Sequence, residues 1–106
     1  MALSEQEFRI KSDEALLQAR RGLMSLADDD AGFELELQNG VLNLVFEEPS
    51  ETKFVVSPNA PVRQIWVSAM GKSYKLAWSA EQSAFVINGE TLAQLLDRLT
   101  RVFLRR

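Results

Sequence analysis

The groups best placed for chemistry in this chain are carboxylates: Asp28, Asp29 and Asp30 are followed by Glu34 and Glu36, five acids within nine residues. Close carboxylates repel one another, and a cation relieves that repulsion. A shallow all-oxygen surface suits hard or borderline ions such as Ca²⁺, Mg²⁺, Mn²⁺ or Fe²⁺, bound weakly and without a cage. On the residues alone the simpler reading is a solvated loop running into the polar side of an edge strand, where charge discourages edge-to-edge pairing. Their spacing is not D-x-[DN]-x-[DN]-G, which argues against a dedicated calcium loop.

Trp66 is the second group that stands out. In the stretch Pro61 to Ser68 side chains alternate faces, so Ile65 and Val67 share one side while Gln64, Trp66 and Ser68 share the other. The apolar pair belongs to a core. That leaves a tryptophan on the polar face, available as an anchor for a partner unless a neighbouring loop or long side chain covers it.

Other chemistries are restricted by composition. The 106 residues include no cysteine and no histidine, which removes disulfides, thiolate metal sites and the commonest nucleophiles, general bases and zinc ligands together. An enzyme would have to work through carboxylates and a bound metal. With 12 basic against 15 acidic residues the net charge is −3, which does not supply the positive field that a nucleic-acid backbone requires. Residues 1–26 lack the uninterrupted apolar region of a signal peptide and the length of a membrane span, so the expected location is the cytoplasm, with no membrane partner. At 46% apolar and 25% charged, residues 1–106 suit a single folded domain without an organic cofactor.

The elements that must position these residues follow from capping and periodicity. Ser4-Glu5-Gln6-Glu7 reads as a capping box, and Phe8, Ala15, Leu16, Ala19, Leu23 and Leu26 follow helical spacing up to the Asp28 to Gly32 run. Phe33 to Leu37 alternates strictly, Asn39-Gly40 supplies a tight hairpin turn, and Val41 to Phe46 returns. Pro49-Ser50 marks a turn. Lys53 to Val56 reads as a third strand, Ser57 to Pro61 as a connection, then come the Trp66 strand, Ser73 to Trp78 after Gly71, and Ala84 to Ile87. Beyond Asn88-Gly89, Leu92, Leu95, Leu96, Leu99, Val102 and Phe103 form a helical stripe, with Arg98, Arg101, Arg105 and Arg106 toward the end that suits cations. Two terminal helices and about six antiparallel strands predict an α+β two-layer sandwich, helices on one face and the other face open.

This order of elements, with Gly40-Val41-Leu42-Asn43-Leu44-Val45-Phe46, then Gln64-Ile65-Trp66 within Pro61 to Ser68, then Gly89-Glu90-Thr91-Leu92 leading Leu95-Leu96, resembles the frataxins of the compact bacterial type. The resemblance implies an iron-associated accessory protein of iron-sulfur cluster assembly, an iron chaperone rather than a classical catalyst. Its implied partners are the cysteine desulfurase and the scaffold protein, and it implies a monomer in the absence of metal. The family's sheet-face contact surface maps to Trp66, Gln64 and Arg63. Its acidic ridge, which carries iron as Fe²⁺ or Fe³⁺ on weak carboxylate sites, maps to Asp28, Asp30, Glu34 and Glu36 with Asp29 in the same run, and to Asp13 and Glu14 on the helix.

Departures from the family pattern carry expectations of their own. Arg20 and Arg21, followed by Met24 and Ser25, stand where frataxins concentrate carboxylates, so iron should bind more weakly than is usual. Ala77 replaces a common aspartate and Phe85 a common tryptophan, both expected on the exposed side of the sheet or its border. The alternative to an iron-handling factor is an interaction module on the same fold that has lost significant iron binding.

Overall fold

Ser4 and Glu7 close the capping box that the sequence predicts. The Glu7 amide donates to Ser4 Oγ at 3.1 Å and the Ser4 amide donates to Glu7 Oε1 at 3.0 Å. These hydrogen bonds hold the Glu7 carboxyl below its ordinary pKa, and they start α1 (Glu5–Asp28). The structure is a computed structural model and describes residues 3–28, 33–47 and 50–105, without the side chains of 26–28. Leu26, Pro49 and Arg106, named above for their sequence signals, therefore fall outside the described side chains. The inward face of α1 carries Phe8, Leu16, Ala19 and Leu23, with Ala15 half-buried beside them. Ser12 is buried on the same face, its hydroxyl donating to the Arg9 carbonyl at 3.1 Å.

Seven strands follow: β1 (Phe33–Gln38), β2 (Val41–Phe46), β3 (Thr52–Asn59), β4 (Gln64–Ala69), β5 (Lys72–Ser79), β6 (Ala84–Ile87) and β7 (Glu90–Thr91), before α2 (Leu92–Leu104). They lie in one antiparallel sheet in strict sequence order. The seventh strand corrects the expected six. Asn88 and Gly89 take positive φ of 51° and 80°, so the chain turns back and pairs Glu90 with Ile87 and Thr91 with Val86 before the helix begins.

Two further expectations are corrected here. Ser57 to Asn59 continues β3 instead of forming a connection, with Pro58 opposite Ile65. Pro58 is tolerated because it lies past Val56, the last β3 residue paired to β2, so the amide it lacks faces no ladder partner on that side. In α2, Val102 is 58% exposed instead of joining the apolar stripe. The buried face of that helix, Leu92, Leu95, Leu96 and Leu99, is rotated toward the fully buried Thr100.

Both helices cover one face of the sheet. There Leu42, Leu44, Phe54, Val56, Ile65, Val67 and Leu76 meet the helical leucines and Phe8, every one of them almost wholly removed from water. Phe46 sits among Phe33, Phe54 and Phe103 at ring centroid distances of 5.2, 4.7 and 4.7 Å. Phe85 belongs to this core too. It packs edge-on against Phe8 and Trp78, which corrects its expected place on the exposed side or border. No helix among the described residues is long and apolar enough to cross a membrane.

Candidate functional site

The helix-free face of the sheet carries the tryptophan. Trp66 stands on β4, opposite Ser57 of β3 and Lys75 of β5. Its indole Nε1 donates to Gln64 Oε1 at 2.9 Å, and the Lys75 ammonium lies 4.9 Å from the ring centroid. A tether at the rim and a cation over the face hold the ring in place, so little rotamer freedom remains to be lost if a partner packs on it. Trp66 as a whole is still 36% exposed. Both possibilities read from the sequence are therefore partly present: Lys75 shields one part of the indole and the rest faces water.

An open groove of about 360 Å³ adjoins the ring, lined among others by Val55, Ser57, Ser68, Ser73 and Lys75. Lys75 was not among the sequence candidates, yet a signal existed. Met70 and Gly71, with positive φ of 50° and 77°, form a two-residue turn of the type that fixes hairpin register, and Ala69 opposite Lys72 then places Lys75 opposite Trp66. Ala77 lies on the same face, exposed and opposite Gln64.

Arg63 sits apart from this pair. With φ of 54° it ends the 3-10 turn Ala60–Val62, and its guanidinium donates through Nε to the Leu3 carbonyl at 3.1 Å and through a terminal nitrogen to the Ala60 carbonyl. These bonds tie the turn to the segment leading into α1.

The acidic candidates divide between the two layers. Glu34 and Glu36 are exposed on the helix-free side of edge strand β1, opposite Val45 and Asn43. Neighbouring residues on one face of a strand are about 7 Å apart, and Trp66 lies three strands away, about 14 Å across the sheet. Asp13 and Glu14 project from the solvent side of α1, in the other layer. Asp28 closes α1 with its side chain undescribed, and Asp29 and Asp30 lie outside the described residues. Among the described residues no three carboxylates are grouped to hold a metal ion. The site is thus a tryptophan-bearing sheet face with an acidic pair at one edge.

A two-layer α+β sandwich with terminal helices on one side of an antiparallel meander is the frataxin fold. A solved frataxin from Psychromonas ingrahamii matches it with a TM-score of 0.72 over 94% of this chain and 90% of that one, at 20% identity. A family model described as "Frataxin-like domain" matches residues 1–105, and the chain belongs to that family. It is 30% identical over 76 residues to the iron-sulfur cluster assembly protein CyaY of Pseudomonas syringae pv. syringae, covering 68% of this chain and 67% of that protein. With the protein of the same name from Ectopseudomonas mendocina the identity is 29% over 104 residues, 94% of this chain and 88% of the relative.

Proposed function

We propose that this chain is an accessory protein of iron-sulfur cluster assembly, which docks on the cysteine desulfurase and scaffold complex through the Trp66 face and presents iron as cargo on its acidic edge. Its family and the name shared by its relatives support the pathway. The observation that carries the docking surface is Trp66 itself, an aromatic ring held by Gln64 and Lys75 on a sheet face that no helix among the described residues covers. Such preorganised aromatics are the usual anchors of protein interfaces. The iron cargo rests on Glu34 and Glu36, with the Asp28 to Asp30 run before them in sequence and Asp13 and Glu14 as a second, weaker group. Arg20 and Arg21, on the same helix as Asp13 and Glu14, favour a second reading in which docking is kept and iron binding is slight.

Two titrations of isotope-labelled protein, followed through backbone amide resonances, test both parts. Anaerobic Fe²⁺ at sub-millimolar concentration is expected to broaden residues 28–36 selectively; unchanged spectra would leave only the metal-free reading. The desulfurase and scaffold complex is expected to perturb Gln64, Trp66 and Lys75. Binding that leaves these three unchanged would refute the docking surface.

A further inference from the structure

The solvent side of α1 carries a feature that the docking face and the acidic edge do not use. Ile10, Leu17 and Met24 are 51%, 43% and 40% exposed and stand seven residues apart. Residues at that interval drift only about 20° around a helix, so the three form one apolar stripe about 21 Å long, on the face opposite the core. Single exposed apolar residues are ordinary, but three at heptad spacing line up into one row that a second helix can cover, here with charged residues at the intervening three- and four-residue positions.

The charges beside the stripe identify what fits it. Asp13 and Glu14 stand four and three residues before Leu17, while Arg20 and Arg21 stand three and four after it. Asp13 and Arg20, again seven apart, share one flank of the stripe, and Glu14 and Arg21 share the other. Acid thus precedes base on both flanks, with Leu17 at the centre. A second α1 laid antiparallel across the first, about a two-fold axis at Leu17, sets Leu17 against its copy and Ile10 against Met24. It also places Asp13 near Arg20 of the other copy and Glu14 near Arg21, each pair formed twice. A parallel arrangement would set acid on acid and base on base.

Self-complementarity about a two-fold axis is what an isologous dimer requires. Among the described residues Asp13, Arg20 and Arg21 enter no ion pair within the chain, and Glu14 meets only Lys11, at 4.0 Å. We infer that the outer face of α1 is a self-association surface, on which two copies of this chain pair antiparallel through Ile10, Leu17 and Met24. One helix pair is a small interface, so the dimer is weak, with a dissociation constant of about 0.1 to 1 mM. It leaves the Trp66 face free, because that face lies in the other layer. The pairing would also occupy Asp13 and Glu14, setting self-association against any cation held there.

Sedimentation equilibrium of the full chain with chelator present, from about 10 µM to about 1 mM, reads this directly. The wild type is expected to shift from monomer to dimer, and the shift to weaken at high salt. Leu17→Glu should weaken association about tenfold or more while keeping the thermal unfolding of the wild type, since the side chain is exposed. The charge variants are more specific. Asp13→Lys with Glu14→Lys makes both flanks basic, Arg20→Glu with Arg21→Glu makes both acidic, and each variant alone should stay monomeric while an equimolar mixture of the two associates. A wild type that remains monomeric at about 1 mM overturns the inference. So does a dimer that these substitutions leave unchanged, or a mixture of the two folded charge variants that fails to associate.

Discussion

Arg98 grips Glu90 through two parallel hydrogen bonds, Nε to Oε2 and a terminal nitrogen to Oε1, each 2.9 Å long. The pair joins the two-residue strand β7 to the second turn of α2. The Arg98 guanidinium holds the Glu90 carboxyl below its ordinary pKa, and Arg98 is in turn raised above its own.

That relationship fixes a pH dependence. Because the folded pKa of Glu90 is depressed, the native state favours the ionised carboxylate, and the unfolded chain takes up the proton first as pH falls. The contribution is fully present above the ordinary glutamate pKa of about 4.3 and is lost as pH drops through the lower folded value. Arg98→Met is expected to lower the melting temperature by about 2 to 4 °C at pH 7, with the difference from wild type shrinking below about pH 4. Thermal unfolding of both proteins across pH checks it, and a difference that grows on acidification would contradict it.

The start of α2 is held by a second capping box. The Gln94 amide donates to Thr91 Oγ1 at 3.3 Å and the Thr91 amide donates to Gln94 Oε1 at 3.0 Å. Thr91→Ala removes one half of that exchange and should cost about 1 kcal/mol, or about 4 to 6 °C in melting temperature. Calorimetry checks the size, and Thr91→Ser should recover most of the loss.

Leu96 and Leu99 are the plug between α2 and the sheet, fully or almost fully buried. Leu96→Asp or Leu99→Asp would place a carboxylate in an apolar site without a partner, at a cost of about 4 kcal/mol or more, which is close to the whole stability of a small domain. Loss of cooperative near-ultraviolet unfolding at 25 °C is the expected result. A wild-type melting temperature in either variant would show that α2 does not close the core.

Trp66→Ala should separate binding from folding. The ring contacts Gln64 and Lys75 on the surface rather than the core, so the melting temperature should change little, while affinity for the desulfurase and scaffold complex should drop at least about tenfold. Lys75→Ala, which frees the ring from its covering cation, should have a smaller effect. Titration calorimetry on folded variants distinguishes these outcomes.

Much of the architecture was legible because local chemistry and long-range packing agree. Asn39 and Gly40 take positive φ of 54° and 76° and pair Gln38 with Val41, the tight hairpin that the dipeptide foretells. Ser4 and Glu7 form their capping box as spaced. Structure and sequence part where a single local signal competes with packing. Pro58 within Ser57 to Pro61 reads as part of a connection, although proline breaks a ladder only where its missing amide has a partner. Val102 fits the helical interval of its neighbours, but three-residue spacing cannot tell which way the buried face rotates, and Thr100 lies on the covered side. Phe85 illustrates the limit of inference by resemblance: its correspondence to a common family tryptophan points to the exposed side or its border, while Phe8 and Trp78 packed edge-on against it put it inside. For the candidate site, alternation alone put Trp66 and Gln64 on one face. It could not show that the Arg63 backbone turns left-handed and sends the guanidinium to Leu3 and Ala60.

The strict β1 to β7 order has a consequence for how the chain is made. Each strand finds its partner in the residues just synthesised, so hairpins can form one after another as the chain leaves the ribosome. Their apolar face is a different matter, because α2 follows all seven strands and emerges after them. Until it does, only α1 is available to shelter Leu42, Phe54, Ile65 and Leu76. A nascent chain stalled before Leu92 would expose a half-roofed sheet, the species most prone to chaperone capture or to sticking to its neighbours.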